Sequence, residues 1–448
     1  MILKNAYLCQ FEQGQFKPKF ADMIIEDGRI INITEKSYSK FLKRRLKEAE
    51  PKNDNLSEYD ANGRIVMPPL VNFHEHIYSR LSKGLPVKGD LSNFLNVLEN
   101  LWWKLDRALQ EKAIKASAQI AAIEAIQNGV GFIFDHHASP QTISGSLNLI
   151  KKELKFRSLK GVLSYEVSDR NGPENMQKGV EENLDFYRFR TSEDYKSQFG
   201  LHALFTLSNE TLAYINKKID HKDFGFHVHV AEGEYDVKFN KQEYGLAIVE
   251  RMKKFQLLND KTFVVHGNHL TKNDLEELAK FNVSIIHNPD SNFNNAVGTL
   301  NIALVPQNLN LLLGTDGMHC NMLKTYKMAF LNVRHQNKNS TIGFDLINRI
   351  FQNQFEILKR FFGKSNTLQK ADDGNFIVID YIPYTPLDKD NFLGHFLYGI
   401  TESKVRTMYQ NEHFLMKDYD IEDEAKSLQN AYEAGEEVFA NFKNLTKQ

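Results

Sequence analysis

From residue 65 onward the chain repeats one alternation, in which a short, nearly all-apolar run ends in polar residues and a stretch with apolar residues three or four apart follows. The runs are Arg64-Ile-Val-Met-Pro-Pro-Leu-Val-Asn-Phe-His-Glu-His76, Gly131-Phe-Ile-Phe-Asp-His-His137, Gly161-Val-Leu-Ser-Tyr-Glu166 and Phe199-Gly-Leu-His-Ala-Leu-Phe-Thr206. Four more follow: Phe224-Gly-Phe-His-Val-His-Val-Ala-Glu232, Thr262-Phe-Val-Val-His-Gly267, Val283-Ser-Ile-Ile-His-Asn288 and Leu309-Asn-Leu-Leu-Leu-Gly-Thr-Asp316. Such runs read as buried strands, and the intervening spacing predicts helices, among them 108–127, 243–255 and 272–281. Eight strand-helix units over roughly 300 residues predict an α/β fold, a (β/α)8 TIM-type barrel spanning 65–369.

The flanks follow a different rhythm. Ala21 to Ile33 alternates apolar and polar residues around an Asp27-Gly28 hairpin turn. Strand patterns return at Asn375–Tyr381, Lys404–Tyr409 and Gln410–Lys417, and three-to-four spacing from Glu422 to Phe442 predicts a final helix. Segments 1–64 and 370–448 are therefore expected to meet in one small β-sandwich domain beside the barrel.

Charge changes the picture little: 56 Lys and Arg stand against 57 Asp and Glu, so no global field attracts nucleic acid or an anionic membrane. A small-molecule substrate is the better expectation. The basic segment Lys40–Lys47 reads as a solvated amphipathic stretch, because Glu48 and Glu50 follow it. Cys9 and Cys320 are the only cysteines, which excludes a disulfide framework and suits a reducing cytosol. The start lacks a signal-peptide pattern and no apolar run approaches a membrane span, so a cytoplasmic location is expected.

Histidine placement carries the chemistry. Of 15 histidines, His74, His76, His136, His137, His202, His227, His229, His266 and His287 fall on a predicted barrel strand or at its end, where such barrels build their active sites. Side chains alternate along a strand, so His74 and His76 share a face and Glu75 takes the other. Two imidazoles so placed make half of a coordination shell for zinc or iron.

Taken in order, Val71-Asn-Phe-His-Glu-His76, His229-Val-Ala-Glu232, Val265-His-Gly-Asn-His-Leu270, His287-Asn-Pro-Asp-Ser-Asn292 and Gly314-Thr-Asp-Gly317 resemble the amidohydrolase superfamily in its cytosine-deaminase and chlorohydrolase branch. The resemblance runs nearly end to end. Leu101-Trp-Trp-Lys-Leu-Asp-Arg-Ala-Leu109, Asp135-His-His-Ala-Ser-Pro140 and Asp380-Tyr-Ile-Pro-Tyr-Thr-Pro-Leu387 look like the SsnA-type aminohydrolases within it.

Carried over by position, the resemblance implies that His74, His76, His229 and Asp316 bind a metal. It implies Glu232 as the acid/base group, three residues after its ligand, which leaves His227 as a neighbour. His266 would orient the attacking water or bind a second metal, and His202 and His287 would face substrate. Binuclear relatives use a carboxylated lysine at a middle strand. No lysine occurs in Tyr165–Asp169 or His202–Ser208, so one divalent metal is expected, Zn2+ with Fe2+ as the other candidate. A homodimer or larger homo-oligomer is implied as well. Pro69 replaces the family's usual Gly and Glu75 its usual small hydroxyl residue, and neither side chain has to reach the metal.

The physical reading agrees. Three neutral imidazoles and a carboxylate leave a divalent ion net positive with an open position, and its water acidifies to a pKa of about 7. Asp316 can accept a proton there and Glu232 can deliver one to a leaving nitrogen. The implied activity is an aminohydrolase, a hydrolase of carbon-nitrogen bonds outside peptides. It would release ammonia from an amidine-type C=N carbon of a heterocyclic or guanidine-like substrate.

Chlorohydrolase or cyclic-amide hydrolase chemistry would use the same residues, and a metal-retaining barrel serving as a binding module is the alternative of another class. Blander roles stand beside each assignment. Asp316 could cap a helix and Glu232 could be a loop carboxylate, while His136, His137, His227, His269 and His319 read as structural or supporting groups. Trp102 and Trp103 could be core or substrate wall, and specificity is expected in the loop Tyr78–Leu105 and in those after the third and fourth strands.

Overall fold

A computed structural model describes residues 1–47, 50, 52–53, 55–219 and 224–447. Glu48, invoked above for the basic segment, lies outside the described residues. The first three strands, β1 (Ile2–Glu12), β2 (Gln15–Glu26) and β3 (Arg29–Glu35), form an antiparallel meander. Its second turn is the expected Asp27-Gly28 pair, both at positive φ (47° and 71°), the conformation a two-residue hairpin requires. The basic segment forms a helix, Tyr38–Arg45, that buries Phe41.

Two short strands follow, β4 (Glu58–Asp60) and β5 (Ile65–Met67), both parallel to β1. Pro68 and Pro69 then split the apolar run, because a residue without an N–H cannot continue a ladder.

Beyond the prolines lie the strands of the central layer: β6 (Leu70–Glu75), β7 (Val130–His137), β8 (Lys160–Tyr165), the short β9 (Tyr195–Ser197), β10 (Phe199–Ala203), β11 (Phe226–Val230), β12 (Phe263–His266), β13 (Ser284–His287) and β14 (Asn310–Leu313). They pair in chain order and in parallel, as β6-β7-β8-β9 and β10-β11-β12-β13-β14. All residues of β6, β7, β8 and β10 to β14 are buried, the mark of parallel strands covered on both faces. Isolated parallel bridges, Glu75 to Asp316 and Val167 to Leu201, bring the edges of the two sheets together.

The last strands are β15 (Phe376–Ile379), β16 (Val405–Gln410) and β17 (His413–Met416). β15 pairs with β5, so the two ends of the chain join in one eight-stranded mixed sheet ordered β17-β16-β15-β5-β1-β2-β3, with β4 on β1. A sandwich was the expectation. Among the described residues these strands hydrogen-bond as that single sheet, which does not confirm the sandwich.

One face of the sheet carries its own cluster, including Leu8, Met23, Ile25, Phe376 and Tyr409. The other presents Phe11 and Phe16 to Phe355 and Phe351 of helix Phe344–Phe362, with ring centroids 4.6 and 4.8 Å apart.

Two helices differ from their predicted form. The 243–255 stretch is divided by Gly245 (φ 67°), which ends helix Glu234–Tyr244 before Ile248–Lys254 begins. The final helix, Glu424–Leu445, leaves the mixed sheet and lays Ala431, Ala434, Val438 and Phe442 against Leu105, Ala108 and Ala113 beside β6. Small residues on its inner face allow that close approach.

Candidate metal centre and active site

His74 and His76 leave the end of β6 on one face, as strand alternation requires, and Glu75 points the other way. Glu75 is fully buried, yet its charge is answered: Arg80 Nη2 donates to Oε1 at 3.0 Å and Cys320 Sγ approaches Oε2 at 3.4 Å. The departure from a small hydroxyl residue therefore comes with its own buried partner.

Gly314 lets β14 reach β6. A Cβ at this position would lie 2.5 Å from Asn288 Oδ1 and 2.7 Å from the His74 carbonyl. Across that contact, Thr315 and Asp316 both donate N–H to His74 O, at 3.0 and 2.9 Å. Asn72 ties the strands again, donating to Thr315 Oγ1 at 2.7 Å.

Asp316 (φ 56°) and His266 (φ 71°) both sit in the left-handed region, where non-glycine residues are uncommon and cluster at working sites. Their side chains turn to the same point as the β6 pair. Asp316 Oδ1 is 3.1 Å from His76 Nε2 and 3.6 Å from His74 Nε2, and His229 Nε2 on β11 is 3.3 Å from His74 Nε2. One donor atom from each of His74, His76, His229 and Asp316 lies within 4.8 Å of all the others, a group that could hold a metal ion.

The hydrogen bonds behind this set decide what fits. His76 Nδ1 lies 2.6 Å from the His136 carbonyl and His229 Nδ1 3.1 Å from the His202 carbonyl. A carbonyl only accepts, so both rings donate from Nδ1, and in their neutral forms both aim an Nε2 lone pair inward. With His76 and His229 neutral, two lone pairs converge with the Asp316 carboxylate, and a divalent cation satisfies that demand.

The electrostatics make the same request. Burial lowers the pKa of His74 to about 3 and pushes His229 well below its usual value. Burial also opposes charge on His76, but the adjacent Asp316 and Glu166 outweigh it and hold the pKa up to about 10. Positive charge is wanted at this point, and a cation supplies it as well as a proton does.

Beside the set, His266 donates from Nδ1 to Asn292 Oδ1 at 2.9 Å, and its Nε2 has no hydrogen-bond partner. That nitrogen faces Glu232 Oε2 at 3.4 Å and Asp316 Oδ2 at 3.6 Å. Burial and the neighbouring Asp316 raise the pKa of Glu232 well above the carboxylate range. Ser291 donates to Asp316 Oδ2 at 2.6 Å.

These groups open on a cavity of about 800 Å³ including its mouth. His76, His229, Glu232 and Asp316 line it, as does His202. Phe94, Leu98, Trp102 and Trp103 form an apolar wall from the loop after β6, which carries a π-helical turn at Leu98–Trp102. Both tryptophans are therefore wall residues. Gly317 makes room for Trp102, whose ring would lie 3.0 Å from a Cβ there.

His287 departs from its expected place. It is fully buried, takes a bond from Asn332 Nδ2 at 3.4 Å, and is not among the cavity-lining residues. Ser291 and Asn295, from the helix that follows it, reach the cavity instead. His136 and His227 lie beneath the set, stacked with centroids 4.5 Å apart, and His227 Nε2 lies 2.8 Å from His74 Nδ1.

Two charged groups of the cavity, Asp106 and Glu166, were not singled out as candidate site residues. Glu166 follows β8, Asp106 ends the loop helix, and Arg170 links them, donating to Asp106 Oδ2 at 3.2 Å and lying 3.8 Å from Glu166 Oε2. They come together only through pairing of distant strands.

Comparison with known proteins adds the following. A sequence model of the Amidohydrolase family matches residues 65–351, well over half of the chain. The chain is 26% identical to a 5-methylthioadenosine/S-adenosylhomocysteine deaminase from Thermococcus sibiricus, covering 91% of this chain and 92% of that one. It is likewise 26% identical to a 5'-deoxyadenosine deaminase from Methanosarcina mazei, covering 98% of each. An adenosine deaminase from Xanthomonas campestris, solved with bound zinc, superposes over 98% of each chain with a TM-score of 0.79 at 16% identity, a likeness of fold.

Proposed function

The chain belongs to the amidohydrolase family, and from that premise we propose that it is a metal-dependent aminohydrolase of the deaminase kind, cleaving a carbon-nitrogen bond outside peptides. The carrying observation is the convergence of His74, His76, His229 and Asp316 within 4.8 Å, with His266 buried beside them and Glu232 lining the same cavity as His76, His229 and Asp316. The relatives named for deamination of adenosine-type compounds support an amidine-type C=N carbon in a heterocycle as the reacting centre.

His74, His76, His229 and Asp316 hold one divalent cation, Zn2+ in preference to Fe2+, which would supply Lewis acidity and a water of lowered pKa. Asp316 accepts a proton from the attacking water through Oδ2, the oxygen facing His266. His266, anchored by Asn292, offers Nε2 to the same water and orients it. Glu232, whose hold on a proton burial strengthens, gives one to the leaving nitrogen. The balance closes over the cycle: water's oxygen becomes the product carbonyl, Asp316 passes the proton it accepted to the adjoining nitrogen, and the adduct's hydroxyl proton restores Glu232 as the proton it donated leaves with ammonia. His202 contacts substrate. His287 supports the helix that carries Ser291.

The same reading takes β6 to β8 and β10 to β14 as a closed barrel opening at its metal-bearing end. The barrel is catalytic and the mixed sheet is an attached small domain, with Pro68 marking the passage between them. It further takes the protein as a cytoplasmic homodimer or larger homo-oligomer acting on small molecules. No helix among the described residues is long and apolar enough to cross a membrane.

The test is ammonia release from a panel of purines, pyrimidines, triazines and guanidines, with metal content measured in parallel. Wild type should release ammonia from at least one compound, and Glu232→Gln should keep its metal while losing turnover. Metal bound in both proteins with no turnover in either would favour a binding module. Chloride release without ammonia release would favour the chlorohydrolase alternative.

A further inference from the structure

The cavity wall opposite Glu232 has an unusual balance of hydrogen-bonding groups. Thr206 Oγ1 donates to the Ala203 carbonyl at 2.8 Å, which commits its one proton. His202 Nδ1, 3.0 Å from that oxygen, must therefore be the donor, which in the neutral ring leaves Nε2 without a proton. It follows that His202 Nε2 is a bare acceptor. Glu166 Oε2 lies 4.0 Å from it, too far for a bond between them, and Glu166 Oε1, 3.3 Å from His76 Nδ1 and 3.6 Å from His136 Nδ1, takes no hydrogen bond.

The guanidinium beside Glu166 is committed elsewhere. Arg170 donates from Nε to Ser168 and from Nη1 to Asp106, and its guanidinium lies over the Trp103 ring at 5.0 Å. It balances charge on Glu166 from 3.8 Å without donating to it at bonding distance. Asp106 keeps a buried oxygen, Oδ1, that also lacks a partner. Two acceptors separated by 4.0 Å in a buried cavity are satisfied by one donor group between them, and repel an acceptor or an anion.

From this wall we infer that Glu166 is a specificity-determining residue that, with His202, receives a neutral hydrogen-bond donor of the substrate. The substrate class is accordingly a heterocycle carrying, besides its reacting amine, a second amino group or a hydroxyl, and no anionic group at that end. The inference rests on the aminohydrolase reading for its reacting centre but not for its selectivity.

Titration of the zinc-loaded full-length chain tests it, in the Glu232→Gln background so that probes are not consumed. Adenine is the reference, 2,6-diaminopurine adds an amino donor, and adenosine adds hydroxyl donors. At least one of the two donor-bearing probes should bind about tenfold or more tightly than adenine, and whichever does identifies the source of the donor. Adding Glu166→Gln or Glu166→Leu should abolish that margin, with adenine affinity and zinc content unchanged.

Equal binding of all three probes, no binding of either donor-bearing probe, or a margin that survives both variants overturns the inference. Loss of zinc in the variants would also overturn it, by showing that Glu166 acts through His76. Ammonia release from the same probes is read separately in protein retaining Glu232, and its absence would count against the reaction without touching the selectivity.

Discussion

His229 and His227 are two residues apart on β11 and point to the same side of the strand, yet they live in different regions. His229 is at the mouth, lines the cavity and is anchored through Nδ1 to a backbone carbonyl. His227 is one layer deeper, fully buried, stacked on His136 and in contact with the rear nitrogen of His74. Residue type and strand face are equal, so depth in the barrel is what separates a group with an inward lone pair at an open site from one that braces it. The polar residues around each layer follow suit. Carboxylates, Asp316 and Glu232, gather at the mouth, whereas His136 and His227 face each other away from the cavity.

The strongest break of this comparison is His229→Ala, which should lose bound metal on elemental analysis and reduce turnover by more than about 100-fold. Retention of stoichiometric metal would remove His229 from the ligand set. Next, Glu232→Gln should keep metal and lower kcat by roughly 10² to 10⁴, the usual reach of a positioned acid/base group.

His227→Ala sharpens the contrast. By deleting the neighbour of His74 Nδ1 it should weaken metal affinity by about 10- to 100-fold, the range for a group behind a ligand. A competition titration with a chelator measures this, and an effect as large as that of His229→Ala would erase the distinction by depth. Smallest of all, Ser291→Ala removes one bond to Asp316 Oδ2. It should cost about 0.5–1.5 kcal/mol of transition-state stabilisation, read as a severalfold fall in kcat with metal unchanged.

Much of this was legible along the chain. The parallel strands β6 to β8 and β10 to β14 lie where apolar runs end in polar residues, because parallel strands covered on both faces must be apolar nearly throughout. The His74 and His76 pair was legible from strand alternation, and its convergence with Asp316 from the order of motifs.

Other features were not. His287 sits at a strand end like the others, but its burial depends on the helix Met322–Asn337 that carries Asn332. Glu166 and Asp106 are separated by 59 residues of intervening chain, which hold no record of their common link to Arg170. The final helix has an amphipathic face that announces burial without naming the surface it covers.

By itself, then, the amino-acid order determined the sequence of strands and helices, the face on which each histidine leaves its strand, and the chemical kinds of group available. These are local properties, set by periodicity and by backbone preferences of single residues such as Pro68 and Gly245. Tertiary structure alone decided depth, distance and hydrogen-bond commitment: which imidazole nitrogen is bare, which carboxylate is left without a partner, and which histidine is sealed away. Those depend on contacts between segments hundreds of residues apart, such as the donation of Thr315 and Asp316 N–H to His74. Only the packed chain contains them.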